Sequence, residues 1–257
     1  MTKNSVFFLT VCLISISCSG EPSPKTANSA PNANKSPVAA TSPSISPTAP
    51  GVKIGEKVEN LTEIDLSNGI PEGWQKLDPD PETPSGFEIA GGVFKLTIPT
   101  GKDLYGDNRT APRLVKNVTG DFEFEARVKF SPKFDYQGAG LLIFRNDNNY
   151  VRLERGFGGV GGGESGIRFD RAEDENYDPL GTPEKFTTSA PVVNLKFRRE
   201  GKIVTAMWRE VGKENWLEVG RVSNTYPETV TIGLMGTNTG DRIIAEFSDV
   251  RLRPLKP

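Results

Sequence analysis

The chain has 257 residues, 35% hydrophobic and 25% charged, with 27 Gly, 20 Pro and a net charge of -2. That length accommodates one large β domain or two small ones, and the charge gives no electrostatic reason to bind nucleic acid or an anionic membrane surface. With no histidine, Ser-His-Asp and Cys-His catalysis and histidine-ligated zinc are excluded, and both cysteines, Cys12 and Cys18, lie in the first eighteen residues.

The chain opens with Lys3, an apolar run from Val6 to Ile16, small residues and Cys18. That is the order of a secretory signal, and the run is too short to serve as a comfortable permanent span. The stretch Ser15-Ile16-Ser17-Cys18 resembles the bacterial lipoprotein signal, with Ser15 where Leu is usual. The resemblance implies cleavage after residue 17 and acylation of Cys18. Ser19 resembles the signal that sends such proteins to the outer membrane or cell surface. The membrane would then be a partner through the acyl anchor alone. The alternative is an ordinary cleaved signal with an incidental cysteine.

Residues 18 to 50 are rich in Pro, Ser, Thr and Ala and contain no aromatic residue. Such a segment buries too little apolar surface to offset its ordering entropy, and its prolines favour extended conformations. It reads as a disordered tether for a domain over 51–257.

From about Thr62 the pattern is β. Residues 121–130 alternate, with Phe122, Phe124, Ala126, Val128 and Phe130 on one face and Asp121, Glu123, Glu125, Arg127 and Lys129 on the other. Gly140 to Phe144 is a continuous apolar run, expected for a strand covered on both faces. A turn at Asn146-Asp147-Asn148-Asn149 leads into a strand from Tyr150 to Arg155. Further strands are expected at 193–198, 203–210, 216–222, 229–235 and 242–252. In the last, Ala245 and Phe247 share one parity and Val250 and Leu252 the other, so a β-bulge is expected near Ser248-Asp249. Short strands separated by turn residues, with no helical period, predict an all-β two-sheet antiparallel sandwich.

The segments GDFEFEARVKFSP, YQGAGLLIFRNDNNYVRLER, NLKFRREGKIVTAMWREVGKENWLEVG, TVTIGLMGTN and AEFSDVRL, in that order, resemble the concanavalin A-like lectin/glucanase superfamily. The likeness is to a bacterial, laminin-G-like jelly-roll branch also found beside family 43 glycosidases, and it covers about residues 62–253. It implies two antiparallel sheets and, often, a face that meets glycans. The superfamily holds both binders and glycosidases, so three classes stay open: a surface carbohydrate-binding module, a structural or protein-interaction module of the envelope, and a two-carboxylate glycosidase.

For catalysis, Glu63, Asp65 and Ser67 imitate a glucanase strand motif without its second carboxylate, and Asp121, Glu123 and Glu125 line what reads as a solvated face. The glycine run 156–163 matches a dinucleotide fingerprint by letters only, because no helix follows it. Two sets of oxygen donors could hold a structural calcium: Asn146, Asp147, Asn148 and Asn149, or Asp170, Asp174, Glu175 and Asp178. No other cofactor is implied. Turn chemistry and exposed acidic loops are the simpler account of both sets.

For glycan binding, Tyr150, Arg152 and Glu154 share a strand face, as do Arg168 and Asp170, while Gln137 and Arg145 end the neighbouring segment. If those strands adjoin, the group converges on one cleft, with Tyr150 as the stacking ring. The alternative is cross-strand ion pairing. Trp74 reads as core, and Trp208 and Trp216 as core or rim.

Overall fold

A computed structural model describes residues 62–159, 163–174 and 176–255. The signal, Cys18 and the tether lie outside them. The described chain forms fifteen strands: β1 (Thr62–Glu63), β2 (Gln75–Leu77), β3 (Gly86–Ala90), β4 (Val93–Ile98), β5 (Arg113–Thr119), β6 (Phe122–Lys129), β7 (Gly138–Asn146), β8 (Asn149–Phe157), β9 (Ser165–Glu173), β10 (Asn176–Gly181), β11 (Val192–Glu200), β12 (Ile203–Glu210), β13 (Leu217–Ser223), β14 (Thr229–Thr237) and β15 (Ile243–Pro254). No helix occurs among the described residues.

The strands make two antiparallel sheets. One has the order β13-β12-β11-β6-β15-β4-β3, with β1 also paired to β15; the other runs β10-β9-β8-β7-β14-β5-β2. Period-2 alternation supplies the core between them. From the first sheet come Phe122, Phe124, Ala126, Val128, Leu195, Phe197 and Phe247; from the second come Leu141, Ile143, Val151, Leu153, Ile167 and Phe169. Trp74 and Trp208 join the same core. The expected bulge is present: the register of β15 against β6 shifts between Ser248 and Arg251, and Asp249 takes φ 48°. One extra residue there lets Phe247 and Val250 both point inward despite their opposite parity.

The acidic row of β6 differs from the bare solvated face expected for it. Glu123 is buried among Lys196, Arg198 and Arg253, and Glu125 pairs with Lys196 and Arg251. Trp216 lies on the same outer face, flanked by Lys196 and Arg209, each 4.3 Å from the ring centre. Asp65 caps a turn by accepting from Ser67 N at 2.8 Å.

The run Gly140 to Phe144 of β7 is covered on both faces, as expected, and the cover extends back to Gly138. Its outer cover is a second apolar cluster of Leu142, Phe144, Tyr150, Ala172 and Met235, sealed by Leu104 and Ala111 from the long β4–β5 loop. That loop stops short of the far half of β8 and β9, and a pocket opens there.

Candidate functional site

The pocket floor is built on β8 and β9. Register pairs Arg152 with Asp170 and Glu154 with Arg168, and all four side chains point away from the core. Arg152 Nε donates to Asp170 Oδ1 at 2.7 Å, and Arg168 Nη2 donates to Glu154 Oε2 at 2.7 Å. Contacts along each strand, at 3.5 Å (Arg152–Glu154) and 3.7 Å (Arg168–Asp170), close the square. All four are buried, with both carboxylates at 0% exposure. Gly138 of β7 makes room for them, because a Cβ there would stand 2.6 Å from Arg168 Nη2 and 2.7 Å from Glu154 Oε1.

Charges this deep survive only as partners. Burial opposes the Arg152 charge, but Asp170 and Glu154 outweigh it and hold the guanidinium well above its usual range. Burial pushes Glu154 up, yet Arg168 and Arg152 bring it below the usual carboxylate range. For Asp170 burial prevails over Arg152 and Arg168, assisted by the neighbouring Glu154 charge, and its carboxyl is raised.

The walls come from loops. Asp103 and Tyr105 rise from the β4–β5 loop, Tyr136 from the β6–β7 loop, Gly159 from the β8–β9 connection and Thr239 from the β14–β15 turn, while Tyr177 stands on β10. Together with Arg152 and Arg168 they enclose about 300 Å3. Tyr105 and Tyr136 are about half exposed. Tyr177 donates its hydroxyl to Asp170 Oδ2 at 3.1 Å, and burial drives its pKa upward. Its ring meets Tyr105 edge-on, with centres 5.2 Å apart. A second hollow of about 230 Å3, over Gly106, Asp107 and Arg109, shares the Tyr105–Tyr177 wall. Three rings around a polar floor suit the C–H faces of a sugar flanked by hydrogen-bonding groups.

The structure brings Arg152, Glu154, Arg168 and Asp170 together and gives the other expected residues different work. Tyr150 is 1% exposed and has no free face for stacking, because the β4–β5 loop covers it. Its hydroxyl donates to Leu104 O at 3.0 Å, which fixes the loop carrying Asp103 and Tyr105, and burial pushes its pKa up to about 12. Gln137 is also buried: its Oε1 accepts from Lys133 N and Phe134 N, and its Nε2 donates to Asn238 Oδ1 at 2.8 Å. It thereby ties the loop bearing Tyr136 to the turn bearing Thr239. Arg145 sits at an irregularity in the β7–β8 register, is exposed, and lies outside the pocket lining.

The two calcium candidates have other partners. Asp147 pairs with Arg113 at 2.8 Å, Asn146 Oδ1 accepts from Asn148 N, and Asn148 Oδ1 accepts from Arg109. Asp178 pairs with Arg171 at 3.0 Å, Asp174 bonds Asn149, and Asp170 belongs to the floor. Glu175 lies outside the described residues. No three acidic side chains converge among those described.

Sequence reasoning missed Asp103, Tyr105, Tyr136, Tyr177 and Thr239. One signal was present. The chain has five tyrosines, and three of them line this pocket.

No family model matches the chain, and no curated protein matches it. Solved structures share its fold. The GH43 protein BlXynB of Bacillus licheniformis superposes with TM-score 0.61 at 18% identity, over 81% of this chain and 41% of that one. A xylan beta-1,4-xylosidase of Bacillus halodurans gives TM-score 0.59 at 18% identity, over 80% and 41%. A functionally unknown protein of Saccharomyces cerevisiae gives 0.56 at 14% identity, over 72% of this chain and 98% of that one. This chain therefore spans about two fifths of the two Bacillus proteins and nearly all of the yeast one. At these identities the likeness establishes a shared β-sandwich fold.

Proposed function

We propose that the folded region is a non-catalytic glycan-binding module, carried outside the cell membrane on an acylated Cys18 and lifted from it by residues 19–50. The observation that carries the binding reading is the pocket: Tyr105, Tyr136 and Tyr177 surround a floor of buried, ion-paired arginines. Aromatic rings supply contact area at small entropy cost, and fixed guanidinium donors orient hydroxyls. The glycoside-hydrolase names of two chains with the same fold agree with a carbohydrate ligand. The carboxylates favour binding over hydrolysis. A two-carboxylate mechanism needs both groups facing the sugar, whereas Glu154 and Asp170 lie buried under arginine and, among the described residues, Asp103 is the one carboxylate that lines the pocket.

The test is a screen of the purified protein on plant, algal and bacterial glycans, with each hit titrated calorimetrically against Tyr105→Ala and Tyr177→Ala. Affinity lost in both variants, with no reducing sugar released by wild type, is the expected result. Retained affinity in both, or no hit on any glycan, overturns the reading. The anchor is tested by metabolic labelling with an alkyne fatty acid: Cys18→Ser should lose the label and leave the membrane fraction.

A further inference from the structure

We infer that the pocket selects neutral sugar units and rejects acidic ones, and that Asp103 sets this selectivity. The inference rests on the glycan-binding reading and adds a ligand class to it.

Two arginines on a binding floor would ordinarily suggest a carboxylate or sulfate ligand. Here their charges are already committed. Arg152 is matched by Asp170 and Arg168 by Glu154, each at 2.7 Å, so the floor is neutral as a unit. Asp103 then stands at the wall as a third carboxylate over two arginines, about a quarter exposed, its Oδ1 in an ion pair 3.5 Å from Arg152 Nη1. That nitrogen is buried and has no hydrogen-bond partner among the described residues. Counting Asp103 with the four floor residues leaves one negative charge in excess. The adjoining hollow adds Asp107 and Arg109, which cancel.

An anionic sugar entering this space meets Asp103 at short range in a partly desolvated setting, where like charges repel strongly. A neutral sugar meets complementary groups. Its hydroxyls donate to the Asp103 carboxylate and accept from the arginine N–H groups. Arg168 Nη1 is placed for this, since a Cβ on Gly159 would stand 3.5 Å from it. A vicinal diol, with one hydroxyl donating and its neighbour accepting, answers a carboxylate beside a guanidinium.

The experiment compares polygalacturonate, alginate and glucuronoxylan with their carboxyl-reduced forms by affinity electrophoresis and calorimetry at pH 7. The proteins are wild type, Asp103→Asn and Tyr105→Ala. Asn at 103 keeps an acceptor for Leu104 N, which now donates to Asp103 Oδ1 at 2.7 Å, and the variant's melting curve verifies its fold. The expected result is that wild type binds at least one reduced form tenfold or more tighter than its acidic parent, an order-of-magnitude expectation of about 1.4 kcal/mol. Asp103→Asn should shrink that gap severalfold, and Tyr105→Ala should weaken both forms. Wild type binding an acidic parent as tightly as its reduced form, with that binding lost in Tyr105→Ala, overturns the selectivity and leaves the glycan reading intact. An unchanged gap in Asp103→Asn overturns the role of Asp103. No retention of any of the six polymers, combined with a blank glycan screen, overturns both readings.

Discussion

Tyr136 is held at φ 67°, a left-handed conformation, although it carries a large, half-exposed side chain. Its backbone is fixed from both sides: its N–H donates to Phe157 O at 3.0 Å and its carbonyl accepts from Thr237 Oγ1 at 3.1 Å. Such a conformation costs a non-glycine residue roughly 1–2 kcal/mol, and strain of this kind tends to collect at functional sites. Two substitutions separate the ring from the strain. Tyr136→Ala removes the ring and keeps the strain. Tyr136→Gly removes both, though glycine gives back about 0.4–1 kcal/mol through the freedom of the unfolded chain. The glycine variant should therefore be the more stable by about 0.5–1 kcal/mol, or roughly 1–4 °C in Tm for a domain of this size. Both should lose glycan affinity equally, by at least about 1 kcal/mol each, as for an aromatic contact within a binding site. Scanning calorimetry and titration against the same glycan read the two effects. Equal melting temperatures for the two variants would refute the strain argument, and wild-type affinity in both would remove Tyr136 from the site.

The floor gives further expectations. Arg168→Met strands the Glu154 charge in a buried site and should cost about 3–5 kcal/mol, while Arg168→Met with Glu154→Leu should recover most of it, since buried ion pairs contribute little net stability; urea midpoints at an unchanged m-value check this. Burial raises the Glu154 pKa, but Arg168 and Arg152 lower it further, so its folded value lies below the ordinary 4.5. Its stabilising contribution is then complete above about pH 4.5 and is lost as pH falls through the folded value. Stability measured from pH 7 to 3 should accordingly fall more steeply for wild type than for Glu154→Gln. Gly138→Ala drives a methyl into Arg168 and Glu154; it should cost about 1–3 kcal/mol and weaken glycan binding, read by denaturation and titration on one sample.

The sheet scaffold was legible because its strands obey one period. The alternation of β6 placed four core residues, and the parity switch between Phe247 and Val250 located a bulge. Strands β3 and β4 escaped individual notice, although Phe94, Leu96 and Ile98 alternate across β4 as regularly as the residues of β6. The ionic floor was also legible, since Arg152 with Glu154 and Arg168 with Asp170 are same-face pairs on strands joined by a glycine-rich connection. The walls were not. Asp103, Tyr105, Tyr136 and Thr239 sit in loops, where no period links sequence position to direction. The parity of Tyr150 gave its face correctly and its depth wrongly. Nothing in the alternation of β8 shows that a loop thirty-nine or more positions upstream folds over that ring.

The two halves of this outer sheet face divide the labour. Under Leu104 and Ala111 it is apolar, and burying side chains such as Leu142, Phe144 and Met235 favours closure of the β4–β5 loop by roughly 1.5–3 kcal/mol for each fully buried large side chain. Beyond Asp103 the face becomes ionic, and that half adds little net stability. Its value is geometric. Each guanidinium is held by a carboxylate across the strand pair, so donors face the pocket without a rotamer search when a ligand arrives. Asp103 and Tyr105 flank Leu104 in the chain, so the apolar contact that closes the loop also sets the depth of the wall that meets the ligand. Stability and recognition are therefore supplied by adjacent residues with different chemistry. For this reason a core-type substitution under the loop and a charge substitution at its tip should disturb binding by separate routes, the first through wall position and the second through selectivity.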